Sequence, residues 1–152
     1  MGIPVFYADE EAKKCYEEKD VIDTVHSYFG NQVFTKGKID FKKMAQFVFQ
    51  DPQKRELINN LIHPKVMEKF DAWAMEQDAP TVMMESAILF ENDLDKFFDM
   101  VIVVDAPIEV RIERIKKRNP NLTEQEIIAR IKAQMPQEEK CKRADMVIDN
   151  RG

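Results

Sequence analysis

The sequence predicts an α/β fold built on a parallel sheet. Four short runs are apolar throughout rather than alternating, as in strands buried on both faces. Helix start signals fill the stretches between them, the order expected of strands joined by helical crossovers. The length, 152 residues, is that of one ordinary domain, able to bury roughly 68–70% of its unfolded surface.

The first apolar run is Ile3-Pro4-Val5-Phe6-Tyr7, and Asp9, ahead of Glu10 and Glu11, is placed to cap a helix to about Glu18. Asp40 caps a second helix over Phe41 to Phe49, with Met44, Phe47 and Val48 at helical spacing. Asp51-Pro52 pairs a cap with a first-turn proline. His63-Pro64 is expected to end that helix and open the next, which carries Val66, Phe70 and Trp73. The second run, Thr81-Val82-Met83-Met84, ends at Glu85, and the third, Met100 to Val104, ends at Asp105. Pro107 opens a helix to about Arg118, with Asp105 as its expected cap. Thr123-Glu124-Gln125-Glu126 is a capping box for a helix to about Gln134. The fourth run is Met146-Val147-Ile148-Asp149. The nine methionines and the set Phe41, Phe47, Phe49 are assigned to the core.

Composition removes several function classes. Charged residues reach 34%, above the usual share of about 25%. The balance is 23 basic against 28 acidic, a net charge of −5, which argues against a general binder of nucleic acid or of anionic membranes. Two cysteines far apart, Cys15 and Cys141, form no disulfide framework, and no apolar run approaches a bilayer span, so a cytoplasmic setting is expected. No cluster of His, Cys and Asp has metal-ligand spacing, so no metal ligands are assigned. The four glycines stand at positions 2, 30, 37 and 152. No two of them have the spacing of a glycine-rich phosphate loop, GxxxxGK[ST], or of GxGxxG.

Chemistry-bearing residues gather in three places. Asp9 follows the first strand and so falls at the carboxyl edge of the sheet, where sites form in such folds. Arg111, Arg114 and Arg118 share one helix face, and Arg130 stands on the next helix; two such helices offer a guanidinium clamp for phosphate oxygens. Glu85 and Glu91 flank a strand end, where a carboxylate either orients magnesium or caps a turn. His63 reads as a cap at a helix corner, and His26 receives no role.

Taken in order, several segments resemble the dephospho-CoA kinase family over nearly the whole chain. They are Gly2 to Asp9, Phe29-Gly30, Gly37 to Asp40, Val48-Phe49 before Asp51-Pro52, and Leu61-Ile62-His63-Pro64. They continue with Glu85 to Glu91, Val103 to Pro107, Arg114, Lys117-Arg118, Ala129-Arg130-Ile131, Gln134, and Ala144 to Asn150. Another nucleotide or shikimate-type kinase fits less well, because the His63-Pro64 and Ala144-to-Asn150 pieces have no place there.

The resemblance implies a three-layer P-loop-kinase-like fold, a parallel sheet with flanking helices and a helical lid. It implies one domain over 1–152, with a substrate-binding helical region at about 20–77 and a lid at about 107–143. The implied reaction is transfer of the γ-phosphate of ATP, with Mg2+, to the ribose 3′-hydroxyl of dephospho-CoA, the last step of coenzyme A synthesis. Asp9 matches the carboxylate beside the acceptor hydroxyl, His63 and Glu91 are the substrate-binding candidates, and Arg114, Arg118 and Arg130 resemble lid arginines that meet phosphates.

Departures from the family pattern are Tyr7-Ala8-Asp9 where Asp-Ala-Asp is common, Glu85-Ser86-Ala87 for an apolar-proline-leucine stretch, and Phe41-Lys42 for an arginine after the aspartate. Family members also carry a strand, the phosphate loop and a helix ahead of the position of Met1, and a further helix after the Asp149-Asn150 match. The expectation is therefore a truncated kinase piece lacking its central first strand, with Met1 either an internal methionine or the edge of a fragment, and with little or no activity by itself. The rival reading is a non-catalytic remnant that binds a CoA-like ligand or a partner chain, with a strand-exchanged homo-oligomer as one form.

Overall fold

The computed structural model describes residues 2–152, except for the side chains of residues 49 and 50, so the expectations for Met1 and for the ring of Phe49 lie outside the described residues. The chain forms two compact units, one reaching to Ala87 and the other starting at Ile88.

The first unit contains β1 (Val5–Tyr7), α1 (Ala8–Cys15), α2 (Lys19–Phe29), β2 (Phe34–Thr35), β3 (Lys38–Ile39), α3 (Phe41–Gln50), α4 (Pro52–Met75) and β4 (Met83–Glu85). Strands β1 and β4 pair in parallel, with Val5 opposite Met83, Phe6 opposite Met84 and Tyr7 opposite Glu85. A parallel pair requires a crossover, and α1 to α4 supply it. The short antiparallel pair β2–β3 turns at Lys36 and Gly37, both at positive φ, 52° and 78°. This hairpin was not among the expected elements, because two-residue strands carry no periodicity.

Helix α4 is the spine of this unit. Ile58, Ile62, Val66 and Phe70 recur every four residues and are all buried. The rings of Phe70 and Trp73 each approach Phe6 of β1, the centroids of Phe6–Phe70 and Phe6–Trp73 both 5.4 Å apart. His63-Pro64 does not break the chain here, contrary to expectation: one helix runs through Pro64 from Pro52 to Met75. An interior proline removes one helical hydrogen bond and strains the preceding turn, but the buried stripe on both sides of Pro64 favours continuity. Lys65 ties the α1–α2 connection to this helix through Glu18 at 2.8 Å and Asp20 at 2.7 Å, and Lys69 adds Glu18 at 3.1 Å.

The caps divide cleanly. Asp40 accepts the backbone N–H groups of Lys42 and Lys43, and Asp51 those of Gln53 and Lys54, as expected. Asp9 is not a cap. Helix α1 starts at Ala8 with Tyr7 in the cap position, so Asp9 stands in the first turn, and the helix stops at Cys15 rather than Glu18.

The second unit contains β5 (Ile102–Asp105), α5 (Ile108–Arg118), α6 (Glu124–Lys132), α7 (Gln137–Arg143) and β6 (Met146–Asp149). Strands β5 and β6 pair in parallel from Ile102–Met146 to Asp105–Asp149, with the three helices as crossover. Phe90, Val101 and Val103 form its core, joined by Met135 and Cys141. The Asp145 carboxylate accepts the Val101 N–H at 2.8 Å and sets the register. The capping box of α6 is present in full, Thr123 and Glu126 exchanging side-chain and backbone bonds. Asp105 lies within β5 instead of capping α5, whose cap position is Pro107.

Burial departs from expectation in places. All four residues of β6 are exposed, as are Ile102 and Val104 of β5, so these strands are not covered on both faces. Among the described residues each parallel pair has only two strands, which leaves flanks open. Met44 is buried, but Met75, Met83, Met100 and Met146 are exposed. Phe41 is also exposed; it meets Tyr16 edge-on at 5.1 Å instead of entering the core. No described helix is long and apolar enough to cross a membrane.

Candidate active site

The first group of candidate residues builds on the β1–β4 pair. Strand β1 ends at Tyr7 and α1 begins at once, so Asp9 sits in the first helical turn at the carboxyl edge of the strands. Its neighbour across the pair is Glu85, the last residue of β4, which stands opposite Tyr7. Partial burial lifts the Glu85 carboxyl above its ordinary range, and the negative charges of Asp9 and Glu10 add to the lift. The edge is therefore a place where carboxylates crowd. Exposed N–H groups of the first helical turn offset part of that charge.

His63 lies in the middle of α4, half-buried, and burial pushes its imidazole below the usual histidine value. Among the described residues nothing links it to Asp9 by a hydrogen bond or ion pair. Its expected position at a helix corner is replaced by one inside a continuous helix.

The second unit carries the arginines. Arg114 donates to the backbone carbonyls of Asn150 at 2.8 Å and Gly152 at 3.3 Å. Arg111 keeps a buried Nε without a hydrogen-bond partner. Arg118 and Arg130 are exposed, and neither has an ion pair with a carboxylate among the described residues. Helices α5 and α6 pack together, and the contact between Lys116 and Glu124 joins them. The sequence-predicted stripe of three arginines is thus split by the fold: one tied to the chain end, one inward, one free.

Glu91 occupies a single 3-10 turn, Phe90–Asn92. Its Oε1 accepts the Met135 N–H at 2.9 Å and faces Lys140 Nζ at 2.7 Å, while Oε2 is buried without a partner. Sequence reasoning missed Lys140, which is only 8% exposed. It stands in the charged run Gln137-Glu138-Glu139-Lys140, where nothing local marks it out.

Parallel strands joined by helical crossovers make this an α/β chain, and its structural neighbours set the class as that of P-loop-fold kinases. A profile of the dephospho-CoA kinase family matches residues 1–152. The dephospho-CoA kinase of Bacteroides fragilis is 38% identical over 154 residues, covering 100% of this chain and 75% of the relative. That of Fusobacterium nucleatum is 37% identical, over 98% of this chain and 77% of the relative. The crystal structure of TT1252 from Thermus thermophilus superposes with a TM-score of 0.89 at 33% identity, over 99% of this chain and 77% of that one. The dephospho-CoA kinase from Campylobacter jejuni gives 0.63 at 27% identity, over the same shares. The chain belongs to the dephospho-CoA kinase family, and with it to the kinases of coenzyme A biosynthesis.

Proposed function

We propose that the enzyme containing this chain transfers the γ-phosphate of ATP to the ribose 3′-hydroxyl of dephospho-CoA, with Asp9 as the group that orients and deprotonates that hydroxyl. The observation that carries the reading is the place of Asp9, one turn into α1 at the carboxyl edge of β1–β4. Such a carboxylate acts through hydrogen-bond reach and proton affinity, worth about 10²–10⁴ in rate. Arg114, Arg118 and Arg130, all exposed, supply positive charge for phosphate oxygens, with Arg118 and Arg130 making no hydrogen bond or ion pair among the described residues. His63 is kept as an acceptor-contact candidate on α4, whereas Glu91, its Oε2 buried and its Oε1 held by the Met135 N–H and Lys140, is left with a role inside its own unit.

Among the described residues no group of three or more His, Cys, Asp or Glu is placed to hold a metal ion. Magnesium rides on nucleotide phosphates and takes one or two carboxylates, a demand that the edge with Asp9 and Glu85 fits. Held there, the ion would supply positive charge to offset that of the transferring phosphate.

The 152 residues contain no glycine pair at phosphate-loop spacing. We therefore take these residues alone to turn over little, since the loop's N–H groups and lysine hold the β- and γ-phosphates. A coupled assay of ATP consumption with dephospho-CoA and magnesium tests this, on the 152-residue chain and on one extended upstream to the relatives' length. Turnover by the extended chain only is the expected result; equal turnover by the short one overturns the phosphate-loop argument. The open flanks of β5–β6 favour a second reading, a non-catalytic chain that pairs with a partner or a second copy. Light scattering that shows a clean monomer counts against it.

A further inference from the structure

We infer that Glu91 is a positioning residue that fixes the exit of α6, and through it Arg130, onto the turn Phe90–Asn92. The inference rests on the reading of Arg130 as a phosphate-binding group. After α6 ends at Lys132, Ala133 N–H still bonds Ala129 O and Gln134 N–H bonds Ile131 O. The Met135 N–H has no such partner, and Pro136 beyond it has no N–H to offer. Glu91 Oε1 takes the Met135 N–H from 44 positions away in the chain.

The same oxygen faces Lys140 of α7, so one carboxylate oxygen ties the end of α6 and the body of α7 to one short turn. Phe90 beside it is buried in the core that Met135 and Cys141 line, so the acceptor is held by packing. Arg130 stands five residues before Met135, in the last turn of α6. The far end of α6 is closed by the Thr123 capping box. With both ends held, the Arg130 side chain starts from a defined backbone, and small displacements of such groups cost about 10²-fold in rate.

The test combines Glu91→Ala, Glu91→Gln, Arg130→Ala and the double variant Glu91→Ala/Arg130→Ala. Hydrogen exchange at the Met135 amide is read in the 152-residue chain, and ATP affinity in the chain extended upstream. Glu91→Ala is expected to speed Met135 exchange by ~10-fold or more, the loss of one part-buried charge-assisted hydrogen bond. It is also expected to weaken ATP binding ~10-fold, with the double variant no weaker than Arg130→Ala alone, the signature of residues acting as one unit. Glu91→Gln keeps an acceptor oxygen and is expected to retain both Met135 protection and ATP affinity. Unchanged Met135 exchange in Glu91→Ala, or ATP losses that multiply in the double variant, overturns the inference. Where Glu91→Ala does not fold, Glu91→Gln decides: ATP affinity lost with Met135 protection intact means Glu91 acts by its charge and not as a tether. If Arg130→Ala leaves ATP affinity unchanged while Glu91→Ala frees the Met135 amide, the tether stands and the phosphate role of Arg130 falls.

Discussion

Asp9 shows how one residue carries two readings until its surroundings are known. As a helix cap it would be replaceable by serine; as a first-turn residue at the carboxyl edge of β1 its carboxylate is not spent on capping, which the proposed role requires. Asp9→Asn in the extended enzyme is expected to lower kcat by about 10²–10⁴ while circular dichroism and thermal midpoint stay unchanged. Near-normal turnover would remove Asp9 from catalysis. His63 is the other residue with a definite signature. Its pKa lies below the usual 6.5 because burial disfavours the cation. The folded state therefore prefers the neutral ring. Its contribution to stability is complete above about pH 6.5 and is lost as pH falls through the lower folded value. An NMR titration should place the His63 midpoint below 6.5, and His63→Gln should flatten the thermal midpoint in that window. A midpoint at or above 6.5 would contradict the burial.

Among the elements, the acidic caps and the long helix make separate predictions. Asp40 is held below the ordinary carboxylate range first by the Thr35 hydroxyl and then by the Lys43 N–H, Asp51 first by the Lys54 N–H. Both groups bind fewer protons folded than unfolded, so their support for α3 and α4 is full above about pH 4 and fades as pH falls further. Asp51→Ala should lower the thermal midpoint at pH 7 and much less at pH 3; an equal loss at both would mean that charge plays no part. In α4, Ile62 is 3% exposed, and Ile62→Ala should cost about 2–5 kcal/mol in urea unfolding. Pro64→Ala restores an N–H in the middle of a continuous helix and should raise stability, since interior proline is unfavourable by about 3 kcal/mol. A loss there would show that packing around α4 depends on the proline ring.

For the whole molecule, the chain spans about three quarters of the relatives it matches. Both parallel pairs follow the same plan, a strand, a helical crossover and a parallel return. Capping residues were legible because a cap and its N–H partners lie within three positions of one another: Asp40, Asp51 and Thr123 needed no tertiary information. The family was legible for a related reason, since ordered segments from Gly2 to Asn150 preserve the residues that chemistry and turns require. Helix α2, the β2–β3 hairpin and α7 gave weaker signals, with short strands or charged composition and no distinctive cap.

Sequence alone thus determined the α/β class, the helix starts at Asp40, Asp51 and Thr123, and the membership of a kinase family. Tertiary structure decided that α4 passes through Pro64, that Asp9 is a first-turn residue, that Phe41 faces solvent, and that Arg114 turns to the carbonyls of Asn150 and Gly152. It alone joined Glu91 to Met135 and Lys140. The physical reason is distance along the chain. Caps and turns are closed by neighbours whose identity is written beside them, whereas a buried carboxylate finds its donors only after packing has brought remote segments together.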